Sequence, residues 1–343
     1  MSCNKTQKRE DLMGKKFNVV GIGNAMVDIL GHVTDETLQE LGIGKGIMQL
    51  IDLERSKLLL QRLGDTKQTS GGSAANTVAG LSQLNISTAY IGKVKEDELG
   101  EVFAKDLKSI GAFYDTKMAD PKVVDETGRC IVMITPDGER SMNTYLGVTE
   151  HLSPNDVDDD IISRAEFVYL EGYRFDGPES KKAFEKATQI CKANDGKVAL
   201  TLSDPFCVAR HSQSFEQLID SKVDILFCNE EELKMLHGSG SLSQALIDIG
   251  KKVQILACTV AERGAYVCVR GDTKLVSTRS RSLVDSTGAG DLFAAGFLYG
   301  LCSKRDELMS AKMGNVAAGE IITHVGPRLE TNLLEIFKQA GLE

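Results

Sequence analysis

No apolar run in the 343-residue chain comes near the ~20 residues that a membrane-spanning helix needs, and the polar opening from Met1 to Gly14 lacks the apolar segment of a secretory signal. These absences predict a cytoplasmic protein with a flexible N-terminal segment, 1–14. The 8 cysteines form no C-x-x-C pair and several sit inside apolar runs, so reduced core thiols are expected instead of a disulfide framework. The 5 histidines show no metal-ligand spacing, which leaves a zinc centre without donors. Basic residues are outnumbered: 40 Lys and Arg against 49 Asp and Glu give a net charge of −9, the wrong sign for a nucleic-acid or membrane-surface partner. No repeat or low-complexity tract appears. No G-x-x-x-x-G-K-[ST] occurs either, so any phosphate loop is not of the Walker type. Gly21-Ile22-Gly23 opens like a dinucleotide fingerprint, but the third glycine and the opening helix are missing, which argues against a Rossmann dehydrogenase.

What is present is a rhythm of apolar runs and helical patterns. Runs at Phe17 to Gly23, Ser87 to Lys93, Phe167 to Gly172, Lys197 to Ser203, Asp224 to Cys228 and Val253 to Thr259 read as strands of a mostly parallel sheet flanked by helices, an α/β fold. At 42% hydrophobic the chain can bury one large core or form two ordinary domains; a single domain over 15–343 is the expectation preferred. Two regions break the rhythm, 26–52 and 113–147. Alternation in Cys130 to Thr135 and the turn Pro136-Asp137-Gly138 suggest antiparallel hairpins there.

Four polar segments carry the chemistry, two of them glycine-dense turns. Asp285-Ser286-Thr287-Gly288-Ala289-Gly290-Asp291 precedes apolar positions Leu292, Phe293, Gly296, Phe297 and Gly300 at helical spacing, so a helix starts at Thr287 or Gly288 with its N–H groups facing outward. Glycines let an anion approach those N–H groups, and the helix start favours negative charge. Asp291, in the first turn, cannot attract a phosphate; its useful role is to take a proton from an attacking hydroxyl. Gly71-Gly72-Ser73-Ala74-Ala75-Asn76 repeats the pattern at a second helix start, with Asn76 able to donate to and accept from a sugar hydroxyl. Asn24 to Asp28 follows the first apolar run and brings Asp28, a carboxylate able to hold two vicinal hydroxyls. Asn229-Glu230-Glu231-Glu232 again follows a strand, with Glu232 one helical turn from Asn229.

Over nearly its whole length the chain resembles the ribokinase-like (PfkB) family of carbohydrate and nucleoside kinases, whose signatures are G-G-x-x-x-N early and D-T-x-G-A-G-D late; here Ser286 stands where threonine is common. The resemblance implies an ATP- and Mg2+-dependent transfer of phosphate to a hydroxymethyl group. It makes Asp291 the base, Gly288, Ala289 and Gly290 the anion hole, and Asn229 with Glu232 the organisers of magnesium and phosphates. It turns 26–52 and 113–147 into a small β-sheet lid, with Arg140 meeting the transferred phosphate. Asn24, Asp28, Gly71, Gly72, Ser73 and Asn76 would hold a ribose. Members acting on adenosine place a glutamine and apolar groups around the purine, a part that Gln49 and Phe206 can fill, with Tyr173 and Phe175 adding aromatic surface. Thr259, Gly264, Asn315 and His324 would flank ATP, and oxygens of Asp285 and Thr287 match those that hold K+ in many relatives. Adenosine is the expected acceptor; a sugar or sugar phosphate is the alternative, and a non-catalytic nucleoside-binding regulator a more distant one. A monomer or homodimer is expected.

Overall fold

Among the described residues fourteen strands follow one another: β1 (Phe17–Ile22), β2 (Met26–His32), β3 (Met48–Leu50), β4 (Thr66–Gly71), β5 (Thr88–Ile91), β6 (Phe113–Tyr114), β7 (Gly128–Ile134), β8 (Arg140–Tyr145), β9 (Ala165–Glu171), β10 (Lys197–Thr201), β11 (Ile225–Asn229), β12 (Ile255–Thr259), β13 (Ala265–Val269) and β14 (Asp272–Val276). The structure, a computed structural model, describes residues 16–343, so the segment expected to be flexible lies outside the described residues.

Nine strands form one sheet in the order β14-β13-β12-β11-β10-β9-β1-β5-β6. Only the β12–β13 and β13–β14 pairings are antiparallel. Its central strands are buried on both faces, which is why they read as continuous apolar runs. Val20, Leu170 and Leu200 pack to one side with Phe184 and Phe215 from helices Pro178–Ala193 and Pro205–Ser221. Val19, Tyr169 and Ala199 pack to the other with helices Ser73–Gln83, Ala289–Cys302 and Glu307–Ile321. From β1 the chain first builds β5 and β6 on one flank and later returns to place β9 on the other. This reversal beside β1 opens a crevice at the carboxyl ends of the strands.

A second sheet runs β3-β8-β7-β2-β4. Of the expected hairpins, β7 and β8 form one around Pro136-Asp137-Gly138. The rest differs. β2 pairs antiparallel with β4 and parallel with β7, and between β2 and β3 the chain forms helix Asp35–Glu40, so 26–52 is no hairpin. Phe113–Tyr114 adds an edge strand to the large sheet. β4 escaped the sequence reading because Thr66-Lys67-Gln68-Thr69-Ser70-Gly71 has no apolar side chain to alternate. One face of this sheet is sealed by Leu38 and Leu59 over Ile131 and Met133. The other presents Met26, Cys130 and Met142 to the crevice. The described cysteines are free thiols, all buried but Cys302. No helix among the described residues is long and apolar enough to cross a membrane.

Candidate active site

Helix Ala289–Cys302 starts at Gly288, whose φ of +81° favours glycine and whose Cβ would sit 2.8 Å from Pro327 Cβ. Among the described residues no side chain caps this start, and only the Ala289 N–H turns back, to Ser286 O at 3.2 Å. The next N–H groups therefore face a cleft of about 1260 Å³ lined by Gly288, Ala289, Gly290 and Asp291. A Cβ on Gly290 would meet nothing within 4 Å, so the turn leaves a space that an anion can fill. Helix Ser73–Gln83 begins at Gly72, with φ +100° and a hypothetical Cβ 2.2 Å from the Asn24 carbonyl oxygen. The two glycines separate experimentally. Gly72→Ala should lower stability by roughly 3 kcal/mol or more through strain, whereas Gly290→Val should move stability by only about 0.5 kcal/mol and weaken ATP binding at least tenfold. Thermal unfolding with ATP titration distinguishes them; equal losses of stability would refute the assignment of Gly290 to an open anion site.

Asp291 is held by the other motif. Ser73 Oγ donates to its Oδ1 at 2.6 Å and Asn76 Nδ2 to its Oδ2 at 2.9 Å, while Thr77 Oγ1 donates to its carbonyl at 3.1 Å. Burial pushes its pKa up to about 6, and the Ser73 and Asn76 hydrogen bonds and the Arg328 charge oppose that rise. A carboxylate so placed is charged at pH 7 yet near the value suited to proton transfer. Asn76, expected against a sugar hydroxyl, instead orients Asp291 and does not line the cleft.

Asp28 points from β2 into the cleft, and the missing side chain of Gly71 makes room for it: a Cβ there would lie 2.3 Å from Asp28 Oδ1. Burial raises Asp28 to about 7, against the charges of Arg328 and Arg140. Asn24 lines the cleft, but its Oδ1 already accepts from Arg174 Nη1 at 2.9 Å and Thr149 Oγ1 at 3.3 Å. Three groups here went unnoticed in the sequence. Glu171 ends β9, accepts the Asn24 and Ala74 N–H groups at 3.3 and 2.8 Å, and keeps Oε1 buried without a partner among the described residues. Burial raises it to about 7, against those N–H groups and Arg174. Arg174 is 1% exposed, and Arg328 donates to Ser70 O at 3.2 Å. A strand-end glutamate followed by Gly172, Tyr173 and Arg174 was the available signal.

At the other end Asn229 and Glu232 close a capping box: the Asn229 N–H donates to Glu232 Oε2 at 3.0 Å and the Glu232 N–H to Asn229 Oδ1 at 2.8 Å, and Asn229 Nδ2 adds a bond to Glu232 Oε1 at 2.7 Å. Burial lifts Glu232 to about 7, against the Asn229 N–H bond and with Asp204 and Glu231 adding to the rise. Thr259 and Phe206 also line the cleft, Phe206 with 73% exposure.

Other expected site residues point elsewhere. Gln49 faces away because strand alternation sends its neighbours Met48 and Leu50 to the cleft, while Gln49 Nε2 donates to Asn143 Oδ1 at 2.7 Å on the opposite face. Asn315 donates to the Val276 carbonyl at 2.8 Å and so ties its helix to β14. Gly264 is a turn glycine, φ +103°, packed on Val276 O, and His324 and Phe175 stand off the cleft wall. Arg140, expected to meet the transferred phosphate, does not line the cleft: its guanidinium pairs with Asp285 and donates to Thr287 Oγ1 at 3.2 Å. That pairing engages the Asp285 and Thr287 oxygens that were expected to meet potassium. Oδ1 of Asp285 accepts from the Thr287 N–H at 3.0 Å and from its hydroxyl at 2.7 Å, and Oδ2 from the Gly326 N–H at 2.7 Å and from Arg140. No cluster of three or more metal-ligating side chains occurs among the described residues.

The family model of the pfkB family carbohydrate kinases matches residues 42–332. A solved structure of a probable sugar kinase protein from Rhizobium etli CFN 42 is similar at a TM-score of 0.89 and 41% identity, over 96% of this chain and 99% of that one. The adenosine kinase of Sinorhizobium meliloti is similar at 0.88 and 41%, over 95% and 100%. In sequence, the adenosine kinase of Saccharomyces cerevisiae is 26% identical across 332 residues, 90% of this chain and 96% of that protein.

Proposed function

The chain belongs to the pfkB family of carbohydrate kinases, phosphotransferases with an alcohol group as acceptor, and we propose that its acceptor is a purine nucleoside, adenosine before others, phosphorylated from ATP on the ribose hydroxymethyl. The observation that carries this reading is the wall beside Asp28. Met26, Met48, Leu50, Cys130 and Met142 turn apolar side chains into the cleft from the small sheet, and Tyr173 and Phe206 enter from the large one. A free sugar carries hydroxyls around its ring and gains less from such a wall than a flat base does. A purine gains dispersion and stacking against thioethers and rings. The ribose then falls to Asp28, with Asn24 and Glu171 beside it.

In this reading Asp291 takes the proton as the hydroxyl oxygen bonds to the γ-phosphorus and the bond to ADP breaks. The N–H groups at the start of helix Ala289–Cys302 hold the charge on the transferred group, and the Ser73 and Asn76 hydrogen bonds fix the base. Magnesium, when bound, would neutralise the phosphates. Glu232 fits it, since Mg2+ keeps several waters and needs one or two carboxylates, and Glu232 is a buried carboxylate at the cleft with no cation paired to it among the described residues.

The test is MgATP-dependent turnover of adenosine, inosine, ribose and fructose, with the product identified by mass. Adenosine should exceed ribose in kcat/KM by about a hundredfold. Comparable values would return the chain to the sugar kinases, and no turnover of any acceptor would favour a nucleoside-binding regulator. Phe206→Ala should lower kcat/KM for adenosine by roughly 5- to 150-fold, the range for one aromatic on one base, and leave ribose unchanged; equal losses on both would remove Phe206 from the base site.

A further inference from the structure

We infer that Arg140 is a built-in substitute for a monovalent cation, its guanidinium balancing Asp285 beneath the Gly288 to Asp291 turn so that this chain needs no potassium there. The inference rests on that turn being the phosphate site. A carboxylate offers about four lone-pair positions, and those of Asp285 are taken by two donors from Thr287, one from Gly326 and one from Arg140. An alkali cation would have to displace one of these donors and then sit against a guanidinium. The pair is shielded, at 10% and 5% side-chain exposure, so the repulsion would be little screened by water or salt.

The same contacts say what the pair does. Asp285 holds the Thr287 N–H on one side and the Gly326 N–H on the other, which fixes the chain one residue before Gly288. Arg140 also donates to the Thr287 hydroxyl, so it braces the turn at two points. It comes from the first residue of β8, 145 residues earlier, and therefore joins the small sheet to the anion turn. A diffusible ion could brace the turn but could not couple it to the sheet that carries the apolar wall. Arg140 is thus a positioning residue. It makes the charge of the turn part of the fold, where relatives that bind an ion take it from solution.

The decisive measurement is thermal unfolding of the ligand-free protein in potassium, sodium and tetramethylammonium chloride at matched ionic strength, with MgATP-dependent turnover in the same buffers. The native protein should show one Tm, and rates equal within about twofold, in all three. Arg140→Met should unfold earlier in tetramethylammonium and turn over at least tenfold more slowly, and potassium should recover part of both losses. Arg140→Lys, which keeps a charge, should stay indifferent to the salt. A native Tm or rate that rises severalfold or by several degrees in potassium overturns the inference, as does an Arg140→Met protein that matches the native Tm in tetramethylammonium or that potassium leaves unchanged. Because Tm is read without substrate, an absence of turnover in every salt would count against the kinase reading alone.

Discussion

Asp291→Asn is expected to lower kcat by about 10²- to 10⁴-fold, the range for removing a general base, while the dissociation constants for ATP and acceptor stay within a few-fold. The near-isosteric amide can still accept from Ser73. Opposite Asn76 it would present N–H to N–H, but Asn76 Oδ1 is buried and without a partner among the described residues, so a flip of that amide restores the hydrogen bond. The fold should not suffer. Neutralising a buried carboxylate whose pKa burial has raised to about 6 removes a desolvation cost, so the variant should unfold no earlier than the native protein at pH 8. Native kcat should also fall as pH drops below about 6, since a protonated Asp291 has no room for the substrate's proton. Single-turnover rates, binding titrations and a pH profile settle the matter together: a variant with kcat within threefold of native, or a native profile flat to pH 5, would take the base role away from Asp291.

The residues that the sequence identified most clearly share one property: their chemistry is local. The turn at Asn229 follows an apolar run, those at Gly72 and Gly288 precede an apolar helical pattern, and each places glycine or a capping residue at a helix start, so a few neighbouring positions suffice to show both structure and purpose. Six of the seven parallel strands were visible for a related reason, since burial on both faces leaves an unbroken apolar run. What stayed hidden depends on partners far along the chain. Asp285 and Arg140 are 145 positions apart, and Asn76 and Asp291 215 apart. Nothing near Asp285 says that its oxygens are already occupied, and nothing near Asn76 says that it serves another side chain and not a substrate. Gln49 shows a different limit. Its residue type suited a purine, but which face it takes depends on the register of β3 against β8, and a three-residue strand is too short to show its own alternation. Glu171 looked like the polar end of a strand because only the fold brings the starts of β2 and helix Ser73–Gln83 to it.

Asp28→Asn should produce opposite effects on binding and on stability. The acceptor loses two charge-assisted hydrogen bonds and keeps two neutral ones, a difference of about 1–1.5 kcal/mol each, so its dissociation constant should rise roughly 30- to 100-fold with ATP binding unchanged. The ligand-free fold should gain. Asp28 is lifted from 3.8 to about 7 by burial, against the pull of Arg328 and Arg140, so the folded chain holds the proton more tightly than the unfolded one. The stability tied to that proton is complete below about pH 4 and disappears as pH rises through 7, at roughly 1.4 kcal/mol per unit. Glu171 and Glu232 are raised to about 7 in the same way. Native Tm should therefore fall from pH 6 to pH 8. The substitution should flatten part of that fall, with its largest gain, up to about 4 kcal/mol, at pH 8. Arg328 limits the gain by losing a nearby charge, though it keeps Asp106 at 3.5 Å and the Ser70 carbonyl. A carboxylate that destabilises the empty protein and binds the acceptor is the expected compromise between stability and activity. Unfolding curves at pH 6 and 8 for both proteins, with acceptor titrations, measure each side. A variant less stable than native at pH 8 would mean that Asp28 is a satisfied structural group, and unchanged acceptor affinity would remove it from the ribose site.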